Sequence, residues 1–303
     1  MATIGLASSV TAVEINENLS INGFIDGSYS DNDVTGGGLE QVGIDEIELN
    51  FLLNAGSVSG ELHIDSDDVG GSGDNDLNIE QAHFTYTLDN GLSFTFGRYG
   101  SVLGLEREDP AGLYTFSRAY GTAAGGSNFN FGDVNNFSRE GLALAYATGD
   151  VSLGLSFDVE NDEDLNDEKV NVEVSASYTG IDNLVLNIGY RNEDDAASID
   201  YTNINAAYSA GKALIAAEWS NIDTEGGNDD DAYLVLLDYD FTDTLGGAIR
   251  YSEYENGTND ITRFTVAPNY ALTDSLGVIV EYSDIDNAGA EEELLAVELT
   301  FTF

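Results

Sequence analysis

The chain has no cysteine in its 303 residues, which removes disulfides, zinc-thiolate centres and cysteine nucleophiles. It has only two prolines, and no Pro-rich linker, low-complexity hinge or composition shift divides it, so the reading is one domain. Positive charge is scarce: 9 Lys+Arg stand against 56 Asp+Glu, a formal net charge of -47. Such a chain repels nucleic-acid phosphates, which sets nucleic acid aside as a partner and points to cations instead. Self-repulsion of this size would weaken a small soluble globule, but it is tolerable where carboxylates line hydrated loops and a watery lumen. There is no run of about 18 apolar residues, so a helical membrane span is excluded, whereas barrel strands need only about 9–11 residues each.

What is present is alternation. Leu295, Val297, Leu299, Phe301 and Phe303 share one face, and Ala296, Glu298, Thr300 and Thr302 the other. The same period of two runs through Leu276, Val278, Val280 and Tyr282, through Tyr233, Val235, Leu237 and Tyr239, and through Leu92, Phe94 and Phe96. About sixteen such segments start near 18, 42, 57, 77, 91, 138, 150, 169, 182, 198, 211, 231, 244, 260, 274 and 291. Tight Gly, Asn or Asp turns alternate with longer acidic connections, the last at about 286–291. This sorting fits an antiparallel transmembrane β-barrel, turns at one rim and loops at the other. Tyr178, Tyr190, Tyr208, Tyr239, Phe241, Tyr251, Tyr282 and Phe303 sit near strand ends on the apolar face, as an interfacial girdle would. Two residues resist the pattern. Pro268 falls within a strand and calls for a bulge or a shifted boundary, and Arg98 has lipid-face parity.

With these features the chain resembles the 16-stranded general porins of Gram-negative outer membranes over residues 13–303. Residues 1–12 read as the remnant of a signal peptide, with Val10-Thr11-Ala12 at the cleavage position. The resemblance implies an outer-membrane channel for small hydrophilic solutes and ions, without enzymatic activity and without a cofactor. It implies partners too: the lipid bilayer and lipopolysaccharide, a homotrimer, and the outer-membrane insertion machinery, which would read Leu295, Val297, Leu299, Phe301 and Phe303 as an assembly signal. It further implies that the third outer loop, here residues 100–137, folds into the lumen and narrows it. Glu106, Arg107, Glu108, Asp109 and Arg118 are its candidate constriction residues, and Leu103, Leu105, Leu113, Tyr114, Phe116, Tyr120, Phe129 and Phe131 give it bulk to pack with.

Strand parity puts Arg139, Arg191, Arg250 and Arg263 into the lumen with Glu46, Glu48, Glu61, Asp238, Glu281 and further acids. The acid excess predicts a cation-selective channel. The resemblance makes Arg139 and Arg98 candidates to face Glu106, Glu108 and Asp109 across the aperture, although each arginine could instead neutralise acids on neighbouring strands. Other readings stay open: a substrate-specific channel, or a secreted β-rich adhesin or binding protein. The only histidines, His63 and His83, have lumen parity and no visible serine partner, which argues against a hydrolase. Asp65 to Asp76 resembles a calcium loop only in part, because Val69 falls where a ligand is wanted; no metal site is expected there.

Overall fold

Alternation along the chain becomes seventeen strands: β1 (Val13–Asn16), β2 (Leu19–Asp33), β3 (Leu39–Ala55), β4 (Val58–Asp67), β5 (Asn78–Thr87), β6 (Leu92–Gly100), β7 (Ser138–Thr148), β8 (Val151–Val159), β9 (Asn171–Ile181), β10 (Leu184–Asp194), β11 (Ser198–Ala210), β12 (Ala213–Thr224), β13 (Asp229–Asp240), β14 (Leu245–Glu255), β15 (Asp260–Ala271), β16 (Leu276–Asn287) and β17 (Ala290–Thr302). The computed structural model describes residues 12–34, 37–67, 77–106, 110–120, 138–159, 170–194, 198–227, 229–257 and 260–303. Among them the only helical element is a 3-10 turn, Pro110–Gly112. The expected signal remnant before Ala12, the 68–76 part of the acidic loop, and Phe129 and Phe131 lie outside the described residues.

Strands β2 to β17 form a closed antiparallel barrel of sixteen. The seam is β17 against β2, with Leu299 opposite Gly27 and Phe301 opposite Ile25. Phe303 and Gly23 exchange both backbone hydrogen bonds at 3.1 Å, and β1 continues the seam by pairing Val13 with Ile21. Closure satisfies the backbone polar groups that hydrocarbon cannot. Outward parity is greasy, as expected: on β13, Tyr233, Val235, Leu237 and Tyr239 are exposed while Ala232, Leu234, Leu236 and Asp238 are buried.

Pro268 needs neither a bulge nor a new boundary. It lies opposite Gly247 on β14, and the β15–β16 pairing lapses at Ala267 and Pro268, then resumes in the same register, Val266 with Tyr282 and Asn269 with Ile279. A missing N–H costs a ladder bond locally, and the flanking pairs hold the strands together. The connection expected to be long at 286–291 is a tight turn, because β16 ends at Asn287 and β17 begins at Ala290. Ala288 and Gly289 have φ of 53° and 86°, the left-handed pair that a two-residue hairpin turn requires.

Register shifts occur in four pairings of the described strands, at Glu14/Asn16, Leu184/Leu186, Asp26/Gly27 and His63/Ile64, and the last two alter the inner wall. Asp26 pairs with Glu46 but Gly27 with Ile44, and His63 pairs with Gln81 but Ile64 with Ile79. The extra residues are Asp45 and Glu80. Each bulge therefore lets two consecutive polar residues share the inner side, Asp45 with Glu46 and Glu80 with Gln81, while Ile44 and Ile79 stay exposed outside.

Candidate functional site: the lumen and its inner loop

Beyond β6 the chain turns into the barrel, and three wall glutamates receive it. Glu173 on β9 accepts from the Ser101 hydroxyl at 2.7 Å and the Val102 N–H at 3.2 Å. Glu218 on β12 accepts from the Leu105 N–H and from the Tyr120 hydroxyl, the latter at 3.0 Å. Glu281 on β16 accepts from the Ser117 N–H at 3.0 Å and from the Ser117 hydroxyl. A buried carboxylate is costly unless hydrogen-bonded, and orphan loop N–H groups are costly unless accepted, so each contact meets two needs. Leu103 closes against Gly189 on β10, where an added Cβ would overlap its Cδ2.

Arg250 on β14 is the hub of this latch. Its Nη1 donates to Glu106 at 2.6 Å, to the Thr115 hydroxyl at 2.7 Å and to the Ser117 carbonyl at 2.7 Å; its Nη2 donates to the Ser117 hydroxyl at 3.0 Å. Arg263 on β15 donates to Glu281 at 3.2 Å and to the Arg118 carbonyl at 3.4 Å, and Ser252 donates to the Ala119 carbonyl. Apolar packing completes the docking. Leu105, Tyr114, Phe116, Ala119 and Tyr120 pack with the inner Ala216, Ala232, Leu234, Leu236, Ala248, Ala267 and Ile279. Burial, with Asp238 and Asp240 adding to it, pushes the Tyr114 hydroxyl up to about 12. Burial and then Glu218 and Glu106 raise that of Tyr120 well above its usual range.

Arg191 on β10 grips Asp158 on β8 with both guanidinium ends, at 2.7 and 2.8 Å, and reaches Glu193 at 2.8 Å. Arg139 on β7 donates to Glu193 at 3.0 Å. Among the described residues Arg139 meets wall acids, Glu193 and Asp158, rather than the loop carboxylates the resemblance implied. Arg98 is corrected as well. It shares the outward side of β6 with Phe94 and Phe96, donates from Nε to the Glu80 carbonyl at 2.8 Å and lies 3.8 Å from Glu140, so it is not part of the pore wall. Arg250 and Glu281 do lie inside, yet both are fully buried under the loop. Of the proposed constriction residues, Glu106 is bound to Arg250 and Arg118 is on the loop, while Arg107, Glu108 and Asp109 lie outside the described residues.

The inner side of β3 to β7 differs from this covered wall. Glu46, Asn50, Glu61, His63, Gln81, His83 and Thr85 are only part-buried there, with Glu48 buried among them. His63 Nε2 lies 3.1 Å from Glu61, and its Nδ1 lies 3.5 Å from Glu48 and 3.8 Å from Glu80. Parity had placed Glu46, Glu48 and Glu61 here but missed Asp45 and Glu80. Their signal was in the sequence as apolar spacings of three, Ile44 to Ile47 and Ile79 to Ala82, where two was the rule. Toward the short-turn rim, a cavity of about 680 Å³ lies beneath the loop, lined by Leu113, Tyr114, Val185, Leu236, Asp238 and Lys212 among others. In all, the arrangement offers a walled passage with one polar, water-facing side and one sealed side.

A sequence model of a family described as Gram-negative porin matches residues 1–290. Among solved structures, an anion-selective porin from Comamonas acidovorans superposes with a TM-score of 0.69 at 12% identity, covering 94% of this chain and 99% of that one. OmpF of Salmonella typhi, solved in complex with daunomycin, does so with 0.69 at 16% identity, over 94% and 98%. The outer membrane channel DcaP of Acinetobacter baumannii gives 0.68 at 15% identity, over 94% and 97%. Likeness at these identities shows the fold. No curated protein matches by sequence.

Proposed function

The chain belongs to the Gram-negative porin family and forms a channel of the bacterial outer membrane, and we propose that this channel lets small hydrophilic solutes and ions diffuse with a preference for cations. The fold leaves the sign of selectivity open, since the anion-selective porin of Comamonas acidovorans has the same shape. Side chains must set it. The observation that carries the reading is the fate of the inward arginines: Arg139, Arg191, Arg250 and Arg263 are each bonded to carboxylates, and the half-exposed wall carries Glu46 and Glu61, the latter beside His63. A moving anion meets no such surplus of positive charge among the described wall residues, and a moving cation meets carboxylates.

The same reading assigns no bond-making chemistry to the barrel. Among the described residues His63 and His83 approach glutamates rather than a hydroxyl nucleophile, which supports a passive pore. It also takes the barrel to work as a homotrimer, its long loops among lipopolysaccharide, and Leu295, Val297, Leu299, Phe301 and Phe303 to be read by the insertion machinery. The exposed belt of Leu, Val, Ile, Phe and Tyr side chains supports a lipid-facing exterior, and gives no support to a secreted adhesin. The test is a reversal potential across a planar bilayer with unequal KCl on its two sides. A potential of the sign carried by K⁺ is expected; one of the opposite sign overturns cation preference.

A further inference from the structure

The polar wall holds a group that diffusion does not require. Glu48, His63 and Glu80 come from three adjacent strands, and each presents a donor atom within 4.8 Å of the others. We propose that they form a binding site for a divalent transition-metal ion of the zinc type, built into the pore wall.

Geometry carries this. His63 Nδ1 lies 3.5 Å from Glu48 and 3.8 Å from Glu80. These distances exceed the roughly 2.7–3.2 Å of a good N–H···O bond. They approach the separation of donors sharing one ion, since ligands about 2.1 Å from a tetrahedral centre stand about 3.4 Å apart. The other ring nitrogen is already fixed. Glu61 lies 3.1 Å from Nε2, and an ionised carboxylate only accepts, so a hydrogen sits on Nε2 and Nδ1 is the ring nitrogen turned toward Glu48 and Glu80, where an arriving metal ion would take the place of any proton held there. This carboxylate–histidine arrangement is how metal-binding imidazoles are commonly oriented.

The backbone adds a second argument. Glu80 reaches the inner side only because of the bulge opposite His63 and Ile64; in regular alternation it would face outward. Burial preorganises the set, with Glu48 at 1% exposure and Glu80 at 9%. One nitrogen and two carboxylates favour a zinc-type ion over calcium, which takes oxygen ligands only, and leave a coordination position for water.

The test is Zn²⁺ titration of the full-length barrel in detergent by calorimetry, with excess Ca²⁺ present to occupy the other acidic groups. One equivalent of Zn²⁺ is expected to bind. His63→Gln should weaken it by about 100-fold and Glu61→Gln by about 10–100-fold, the range for lost outer partners. His83→Gln, one strand away, should leave it within about twofold of the parent chain. Each variant's folding is checked by its heat-dependent shift in electrophoresis. Should a His63 variant fail to fold, Glu61→Gln and Co²⁺ absorption of the parent carry the test, with ligand-field bands expected. Zn²⁺ uptake that Ca²⁺ abolishes, equal affinity in folded His63→Gln, or equal losses at His63 and His83 would each overturn the site. None of these readouts needs ion flow, so a failed metal site would leave the channel reading standing.

Discussion

The inner sides of β12–β17 and of β3–β7 are made by the same pleated backbone, yet one is sealed and the other faces water. On the first, Ala232, Leu234, Leu236, Ala248, Ala267, Ile279, Ile285, Leu294 and Ala296 are buried although they point away from lipid. Interspersed with them are the buried Glu218, Arg250, Arg263 and Glu281, so this inner side mixes apolar patches with bonded charges. On the second, Glu46, Asn50, Glu61, His63, Gln81, His83 and Thr85 remain part-buried around the buried Glu48 and Glu80. The inner loop explains the contrast: it carries aromatic bulk and lies where the wall is apolar. Removing large apolar side chains from water is worth about 1.5–3 kcal/mol each. Charge then fixes the loop's position, because Glu173, Glu218, Arg250 and Glu281 bond only one arrangement of its backbone.

What this difference teaches is that an arginine inside a pore is not by that fact a selectivity residue. Arg250 and Arg139 both have lumen parity. One is wholly buried in a latch, while the other, with a side chain 13% exposed, tidies the charge of the wall. Replacing each by alanine is the largest test of the comparison. Arg250→Ala leaves the loop's Glu106 without its cation and should weaken docking by about 3–5 kcal/mol, whereas Arg139→Ala, which leaves Asp158 and Glu193 still bonded to Arg191, should cost less, on the order of 1 kcal/mol. Susceptibility of the loop to protease, together with single-channel conductance, would report the release. Equal effects at the two positions would break the distinction between latch and wall.

A smaller effect sharpens it through a single methyl group. Gly189→Ala intrudes on Leu103 beneath the loop and should cost about 1–3 kcal/mol through overpacking. Gly43→Ala on β3 meets nothing within 4 Å and should lie within about 0.5 kcal/mol of the parent. Thermal unfolding of the two variants in one detergent gives the comparison directly.

The smallest effect concerns the water-facing wall. A single carboxylate about 8 Å from a passing ion in water contributes about 0.5 kcal/mol, or about a twofold change in local cation concentration. Glu46→Gln should therefore lower the cation-to-anion permeability ratio by up to about twofold, while Arg98→Gln, on the outside, should leave it unchanged. A reversal-potential shift at Arg98 as large as that at Glu46 would place the governing charge elsewhere.

Much of the fold was legible because strand parity is local. A period of two tells each residue which side it occupies, and turn residues mark where direction reverses, so Tyr233 or Leu299 could be put on the outside without knowing any partner. Legibility failed where the local rule was broken or too coarse. Asp45 and Glu80 moved inside through bulges, and the last outer connection shrank to Ala288-Gly289, whereas Arg98 stayed outside as its parity said, against the role the resemblance implied.

The sequence alone determined a closed cylinder with a greasy exterior, an acid-rich interior and a loop rich enough in aromatics to pack within it. Only the tertiary structure decided which inner charges meet: Arg250 with Glu106, Arg191 with Asp158, and His63 among Glu48, Glu61 and Glu80. The reason is physical. Alternation fixes the direction of a side chain relative to its own strand, but distances across the lumen depend on strand stagger, bulges and the path of the loop, and electrostatic energy depends on those distances.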